Sequence, residues 1–124
     1  MNPAAQWRRR VLVVEDDDAF RELLRMELRI SGFEVIEARD GVAALRCVEK
    51  FSPDVVILDL QLPAAGGLDV RQELLTRPDT RDVPVIVVTG TDWSVPFPTA
   101  AVIRKTDLPS RVVTAVTHVL EAWT

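Results

Sequence analysis

The sequence has few thiol and imidazole groups and no excess of positive charge, with one cysteine, one histidine and a formal net charge of −4. A lone cysteine excludes an internal disulfide, and the place of Cys47 in a helical apolar stripe predicts a small core residue rather than a nucleophile. Zinc would need Cys or His ligands that the chain barely has. The net negative charge gives no positive electrostatic field that would attract nucleic acid. We interpret Arg8, Arg9 and Arg10 as the solvated start of a strand.

Long apolar runs are also missing. The first ten residues, MNPAAQWRRR, lead into only four apolar residues before an acid, so we expect neither a signal-peptide core nor a membrane span. A cytoplasmic protein fits these features.

At 124 residues, 48% of them apolar, the chain is long enough for one hydrophobic core and too short for two ordinary domains. We expect an N-terminal arm over residues 1–10 and one domain over residues 11–124.

Short apolar runs with many β-branched residues predict strands that are covered on both faces of a parallel sheet, at residues 11–14, 55–58 and 85–88. A strand is also predicted at residues 33–36, and a weak one at residues 100–103. A parallel sheet needs crossover connections between its strands, and the intervening segments have helical spacing. The alternation predicts an α/β domain with helices on both sides of the sheet.

Four helices are indicated by their apolar stripes and end signals. The first carries Phe20, Leu23, Leu24 and Leu28 and stops at Gly32. The second is capped by Asp40 and ends before Pro53; the third runs from Gly66 and Gly67 to about Thr76. The last has Asp107 as its cap and Pro109 in its first turn, and His118 falls off its apolar stripe.

Ligands in parallel α/β sheets collect beyond the carboxyl ends of the strands, so the polar residues that follow each apolar run are candidate site residues. They are Glu15 to Asp18 after the first strand, Asp59 after the third, Thr89 after the fourth, and Arg104 and Lys105 after the fifth. Each has an ordinary structural explanation, such as a helix cap, a turn start, strand propensity or a solvated side chain. A cap needs only one acid, however, which leaves further carboxylates close to Asp59.

The repulsion between these carboxylates favours a cation at the site. Two like charges about 4 Å apart repel by ~1 kcal/mol in water and by ~4 kcal/mol at an effective dielectric near 20. Lys105 supplies one positive charge, and a hard divalent ion that prefers oxygen ligands, most simply Mg2+, supplies the rest. Calcium in an EF-hand is disfavoured because the acids do not follow the twelve-residue order of that loop.

The motifs VLVVEDDDAF, DVVILDLQLP followed by Gly67, VIVVTG and IRKTDL resemble those of two-component response-regulator receiver domains of the chemotaxis-regulator type, over residues 11 to about 122. An acidic pair, an Asp 43 residues on, a Thr 30 residues later and a subsequent Lys form a specific combination. The resemblance implies a flavodoxin-like (βα)5 three-layer sandwich. It also implies a signalling domain that catalyses only its own phosphoryl transfer and dephosphorylation.

By the same resemblance, Asp59 is the phosphoacceptor and its donor is a histidine kinase or histidine phosphotransfer protein; the downstream effector has no signature in the sequence. Mg2+ would be bound directly by Asp16, through water by Glu15, and further by Asp59 and the carbonyl of Gln61. Thr89 and Lys105 would contact the phosphoryl oxygens. Pro63 and Gly67 match turn positions of the family, and Gly90 would leave room for the phosphoryl group.

The chain departs from the family at three places. Thr106 stands where a proline commonly follows the lysine, in a cis peptide that would cost a non-proline residue roughly 2.5–4 kcal/mol. Val102 replaces the usual switch aromatic. Only 16 residues separate Thr89 from Lys105, and two prolines interrupt them, so we expect the helix between the fourth and fifth strands to be shortened or missing and residues 92–99 to be irregular.

Three other interpretations are less consistent with these residues. A haloacid-dehalogenase-type phosphatase would need an acid two residues after its nucleophile, where this chain has Gln61. A flavodoxin-like flavin binder would need a hydroxyl-rich phosphate loop after the first strand, where this chain has acids. A degenerate receiver, which binds a partner without being phosphorylated, is favoured by Val102 and Thr106 and disfavoured by the intact acidic site.

Overall fold

A computed structural model describes residues 9–62, 67–90, 99–107 and 110–122. These ranges contain five strands and four α-helices, and a 3-10 turn follows the last strand at Lys105–Asp107. The elements are β1 (Arg10–Val14), α1 (Asp18–Ile30), β2 (Glu34–Ala38), α2 (Gly41–Phe51), β3 (Val55–Asp59), α3 (Gly67–Thr76), β4 (Val85–Thr89), β5 (Ala101–Arg104) and α4 (Ser110–Ala122).

All strand pairs are parallel, in the order β2-β1-β3-β4-β5. Side chains alternate between the two faces of the sheet, which splits the core in two. Val11 and Val13 pack on the face covered by α1 and α4. Leu12 and Val14 pack on the opposite face, covered by α2 and α3. The predicted three-layer flavodoxin-like α/β architecture is therefore confirmed.

Aspartate caps set the starts of the first two helices. Asp17 Oδ1 accepts a hydrogen bond from the Phe20 N–H at 3.0 Å, and Asp40 Oδ1 accepts one from the Ala43 N–H at 2.8 Å. Helix α1 is followed by Gly32 at φ 95°, a left-handed conformation that glycine adopts without steric cost. The predicted cap at Asp40 and the stop at Gly32 are confirmed.

Two details of the predicted elements are wrong. Leu23 is 46% exposed, whereas Leu24 and Leu28 are buried, so the core-facing stripe of α1 is narrower than predicted. Strand β2 runs from Glu34 to Ala38, not over residues 33–36. It is an edge strand with polar positions, so its apolar pattern is weaker than that of the central strands.

The ends of the last helix and of the chain are described only in part. Asp107 belongs to the 3-10 turn and α4 begins at Ser110, while residues 108 and 109, including the predicted first-turn Pro109, lie outside the described residues. His118 is exposed, as its place off the apolar stripe predicts. Residues 1–8 of the predicted arm are not described, and Arg10 is the first residue of β1.

The connection between β4 and β5 contains no helix among its described residues, Gly90, Thr99 and Ala100. Residues 91–98, which hold most of the predicted irregular segment, lie outside the described part of the chain. Val102, at the position of the missing aromatic, is 49% exposed. None of the helices in the described ranges is long and apolar enough to cross a bilayer.

Candidate functional site

The predicted site residues lie together at the carboxyl edge of the sheet. Glu15 directly follows β1, Asp59 and Thr89 are the last residues of β3 and β4, and Lys105 directly follows β5. Asp59 pairs with Val88, one residue before Thr89, so neighbouring strands end at the same level. Glu15, Asp59 and Thr89 are at most 2% exposed.

Lys105 joins the two buried carboxylates. Its Nζ lies 2.8 Å from Glu15 Oε1 and 3.2 Å from Asp59 Oδ2. Burial opposes the charge of the ammonium group, but the contacts with Glu15 and Asp59 outweigh it and raise the pKa of Lys105. The lysine is therefore a fixed positive charge between the carboxylates.

Asp59 is also held from its own turn. The backbone N–H of Gln61 donates a hydrogen bond of 2.9 Å to Asp59 Oδ1, while Lys105 donates to Oδ2. The Leu60 N–H donates to the Val88 carbonyl at 3.2 Å, which continues the strand pairing past Asp59. Both carboxylate oxygens thus have a donor, and the plane of the carboxylate is fixed.

Three acids form a cluster that suits a metal ion. One carboxylate oxygen from each of Glu15, Asp16 and Asp59 lies within 4.8 Å of the others, and Asp16 is exposed on the solvent side. Burial, together with hydrogen bonding to Asp59, raises the pKa of Glu15 to about 7 despite the opposing effect of Lys105. One lysine does not fully offset the carboxylates, and hard oxygen ligands of this kind fit Mg2+.

Gly90 borders the same edge. A Cβ atom at this position would lie 3.4 Å from Gln61 Oε1, a close but tolerable contact, and larger side chains would fill the space beside Thr89. The structure is therefore compatible with the expected room for a ligand here. Pro63, the other predicted turn residue, lies outside the described residues.

Two residues of α1 reach the site that the sequence did not predict to lie there. Arg21 donates a hydrogen bond of 2.9 Å to the Glu15 carbonyl oxygen and one of 2.7 Å to Asp18. The ring centroid of Phe20 lies 5.1 Å from Lys105 Nζ. Both lie in the first turn of α1, and the cap at Asp17 is the sequence feature that places that turn beside the strand end.

Comparisons with known proteins agree on one family. Residues 11–107 match the sequence model described as "Response regulator receiver domain". The response regulator MprA of Mycobacterium sp. (strain KMS) is 43% identical over 83 residues, which are 67% of this chain and 35% of that protein. MprA of Mycobacterium leprae (strain TN) is 42% identical over 83 residues, 67% of this chain and 36% of that protein. The chain thus spans about a third of the length of these relatives.

Solved structures share the fold. The signal receiver domain of a signal transduction histidine kinase from Syntrophus aciditrophicus superposes with a TM-score of 0.81 at 26% identity, covering 92% of this chain and 91% of that chain. The chemotaxis response regulator CheY4 of Vibrio cholerae gives a TM-score of 0.82 at 22% identity, covering 90% and 98%. At that identity the second likeness shows the fold alone.

Proposed function

The chain belongs to the response regulator receiver domain family, and on that premise we propose that Asp59 accepts a phosphoryl group from a phosphohistidine donor with the help of Mg2+. Receivers of two-component systems are signalling modules rather than enzymes, and histidine kinases phosphorylate them. The observation that carries the proposal is that Asp59 lies beside the acids Glu15 and Asp16 and in contact with the ammonium group of Lys105.

Asp59 acts as the nucleophile in the proposed step. One of its carboxylate oxygens forms a bond to phosphorus while the bond between phosphorus and the donor imidazole nitrogen breaks. The electron pair of that bond stays on the imidazole, which leaves as a neutral ring because its second nitrogen has taken up a solvent proton. The hydrogen bonds from Gln61 and Lys105 fix the carboxylate before the donor arrives, so little reorganisation is needed.

The surrounding groups stabilise the charge on the transferring phosphoryl group. Lys105 donates to its oxygens from one side and the hydroxyl of Thr89 donates from the next strand end. Bound Mg2+ would supply further positive charge against those oxygens. The proposed metal ligands are Glu15 through water, Asp16, Asp59 and the carbonyl of Gln61, which the donor chemistry of the acidic cluster supports.

The donor is proposed by class, as a histidine kinase or a histidine phosphotransfer protein in the cytoplasm. The matched relatives are about three times longer than the segment they share with this chain, so their whole-protein activities are not transferred to it. We also propose the division into an arm over residues 1–10 and a receiver domain over residues 11–124; the family match covers residues 11–107.

The test is phosphorylation by acetyl phosphate and by a phosphohistidine protein, with intact-mass measurement and peptide mapping. Wild type should gain one phosphoryl group at Asp59 when Mg2+ is present and none when EDTA is present from the start. Asp59→Asn should gain none, and Asp69→Asn, which alters an exposed acid of α3, should behave as wild type. A wild type that takes up no phosphoryl group would instead support a degenerate receiver that binds a partner without phosphorylation.

A further inference from the structure

The ammonium group of Lys105 has a third neighbour besides the two carboxylates. The ring of Phe20 lies beneath it, with 5.1 Å between Nζ and the ring centroid. The negative face of an aromatic ring attracts a cation at this distance. The contact links the first turn of α1 to the residue after β5.

The position of the ring follows from the helix start. Asp17 accepts the Phe20 N–H and so fixes the backbone of the first turn. Phe20 is partly buried and packs against the core that α1 shares with α4, which restricts the rotation of its side chain. The lysine side chain, in contrast, is 27% exposed and has four flexible bonds of its own. The rigid partner therefore holds the flexible one.

The three contacts of Lys105 differ in whether the partner of the lysine also binds a ligand during the proposed reaction. Glu15 and Asp59 are the groups that a metal ion and the phosphoryl group would bind. Their attraction for the Lys105 ammonium group therefore changes when the metal ion and the phosphoryl group are bound. The face of Phe20 binds neither a hard cation nor an anionic phosphoryl oxygen. Of the three contacts, the ring is the one for which no ligand of the site competes.

We propose that Phe20 is a positioning residue for phosphoryl transfer, which holds the Lys105 ammonium group at the carboxyl edge of the sheet while its carboxylate partners change. The inference rests on the proposed function of Asp59. It assigns no chemistry to the ring, which acts only through the lysine.

The first test compares phosphorylation rates with acetyl phosphate at saturating Mg2+. Phe20→Leu keeps an apolar side chain and removes the ring face. The rate should fall about two- to fivefold, which is the rate factor that corresponds to the free energy of an exposed cation–π contact. Phe20→Tyr keeps the ring and should retain at least half of the wild-type rate. Thermal melts of each variant check that the fold is kept.

A double-mutant comparison separates positioning from a general packing role. If the ring acts through the lysine, Phe20→Leu should cause no further loss of rate in a Lys105→Ala background. The same loss in both backgrounds, or a Phe20→Leu rate equal to that of wild type, would contradict the proposal. Phe51→Leu is a matched control, because Lys50 Nζ lies 5.3 Å from the Phe51 ring away from the site, and it should leave the rate unchanged.

The lysine proton resonances give a readout that does not depend on phosphorylation. The chain has two lysines, so Lys105→Ala assigns both sets of signals. The Hε protons of Lys105 should be shifted upfield by the ring, and the shift should disappear in Phe20→Leu and remain in Phe20→Tyr. Wild-type Hε signals unchanged by Phe20→Leu would overturn the inference. A wild type that shows the ring shift but takes up no phosphoryl group contradicts the proposed function and leaves Phe20 without a reaction to position, which also overturns the inference.

Discussion

Lys105 Nζ and Glu15 Oε1 lie 2.8 Å apart, which places a residue from the last strand end against one from the first. The pair is nearly buried on the Glu15 side and partly exposed on the Lys105 side. Its location beside Asp59 makes the lysine both a structural partner and the cation closest to the proposed phosphoacceptor among the described residues.

Removing the lysine charge should destabilise the metal-free protein. Lys105→Met leaves Glu15 and Asp59 without their cation, and we expect a loss of about 1–2 kcal/mol in the free energy of unfolding, less than for a fully buried pair because Lys105 is part-exposed. Urea denaturation in EDTA measures it. Lys50→Met, at the only other lysine, is the control and should change stability little.

Mg2+ should stabilise the folded domain, because the ion relieves carboxylate repulsion only when the three acids are brought together. At ten times its dissociation constant a ligand adds ~1.4 kcal/mol. Melts with and without Mg2+ should differ, and Asp16→Asn should shrink the difference while raising metal-free stability. Identical melts of the wild type across a wide Mg2+ titration would contradict the assignment of a metal site.

The stability of the metal-free protein should fall as the pH rises from about 4.5 to about 7. The pKa of Glu15 is raised from its ordinary value of 4.5 to about 7 in the folded state, so folding binds a proton more tightly there. The stability that this group contributes is fully present below its unfolded pKa and is lost as the pH rises through its folded pKa.

Urea denaturation in EDTA between about pH 5 and pH 8 measures this effect. Glu15→Gln, which cannot ionise, should have a flatter dependence over the same range. If wild type and Glu15→Gln lose stability in parallel, Glu15 is not the titrating group. Saturating Mg2+ should also flatten the wild-type curve, because the ion favours the carboxylate form.

Filling the space at Gly90 should impair phosphorylation more than folding. Gly90→Ala should be tolerated, since its Cβ would lie 3.4 Å from the side chain of Gln61, whereas Gly90→Val adds two methyl groups beside Thr89 and should slow phosphorylation. Gly32→Ala is the opposite case: at φ 95° it should cost about 1 kcal/mol of stability and leave phosphorylation unchanged. Rates with acetyl phosphate and urea melts of the same variants distinguish the two effects.

The central strands were predictable from the sequence because they are covered on both faces. Strands β3 and β4 were each predicted within one residue, as continuous apolar runs that only a buried strand of that length explains. The predicted range of β2 was shifted because Glu34 and Glu37 interrupt the apolar pattern of the strand. Those glutamates contact arginines, Arg10 for Glu34 and Arg21 and Arg25 for Glu37, and such pairing is not visible in a single segment.

The strand-end rule placed Glu15, Asp59, Thr89 and Lys105 at one edge, because parallel strands must all finish there. It did not find Phe20. That contact depends on the position of the first turn of α1 relative to the end of β5. This position is set by packing between segments that are far apart in the chain. The hydrogen bond from the Gln61 N–H to Asp59 was likewise hidden, since it depends on the backbone of a single turn.

The ion pair between Glu15 and Lys105 also bears on the order in which the chain is made. Synthesis from the amino end delivers Glu15, Asp16 and Asp59 long before Lys105 leaves the ribosome, and until then the carboxylates have no lysine at their edge of the sheet. A nascent chain that ends before β5 therefore carries the acidic half of the site without its cation. Completion of the last strand brings the lysine to the carboxylates, so this part of the site forms only after β5 has been made.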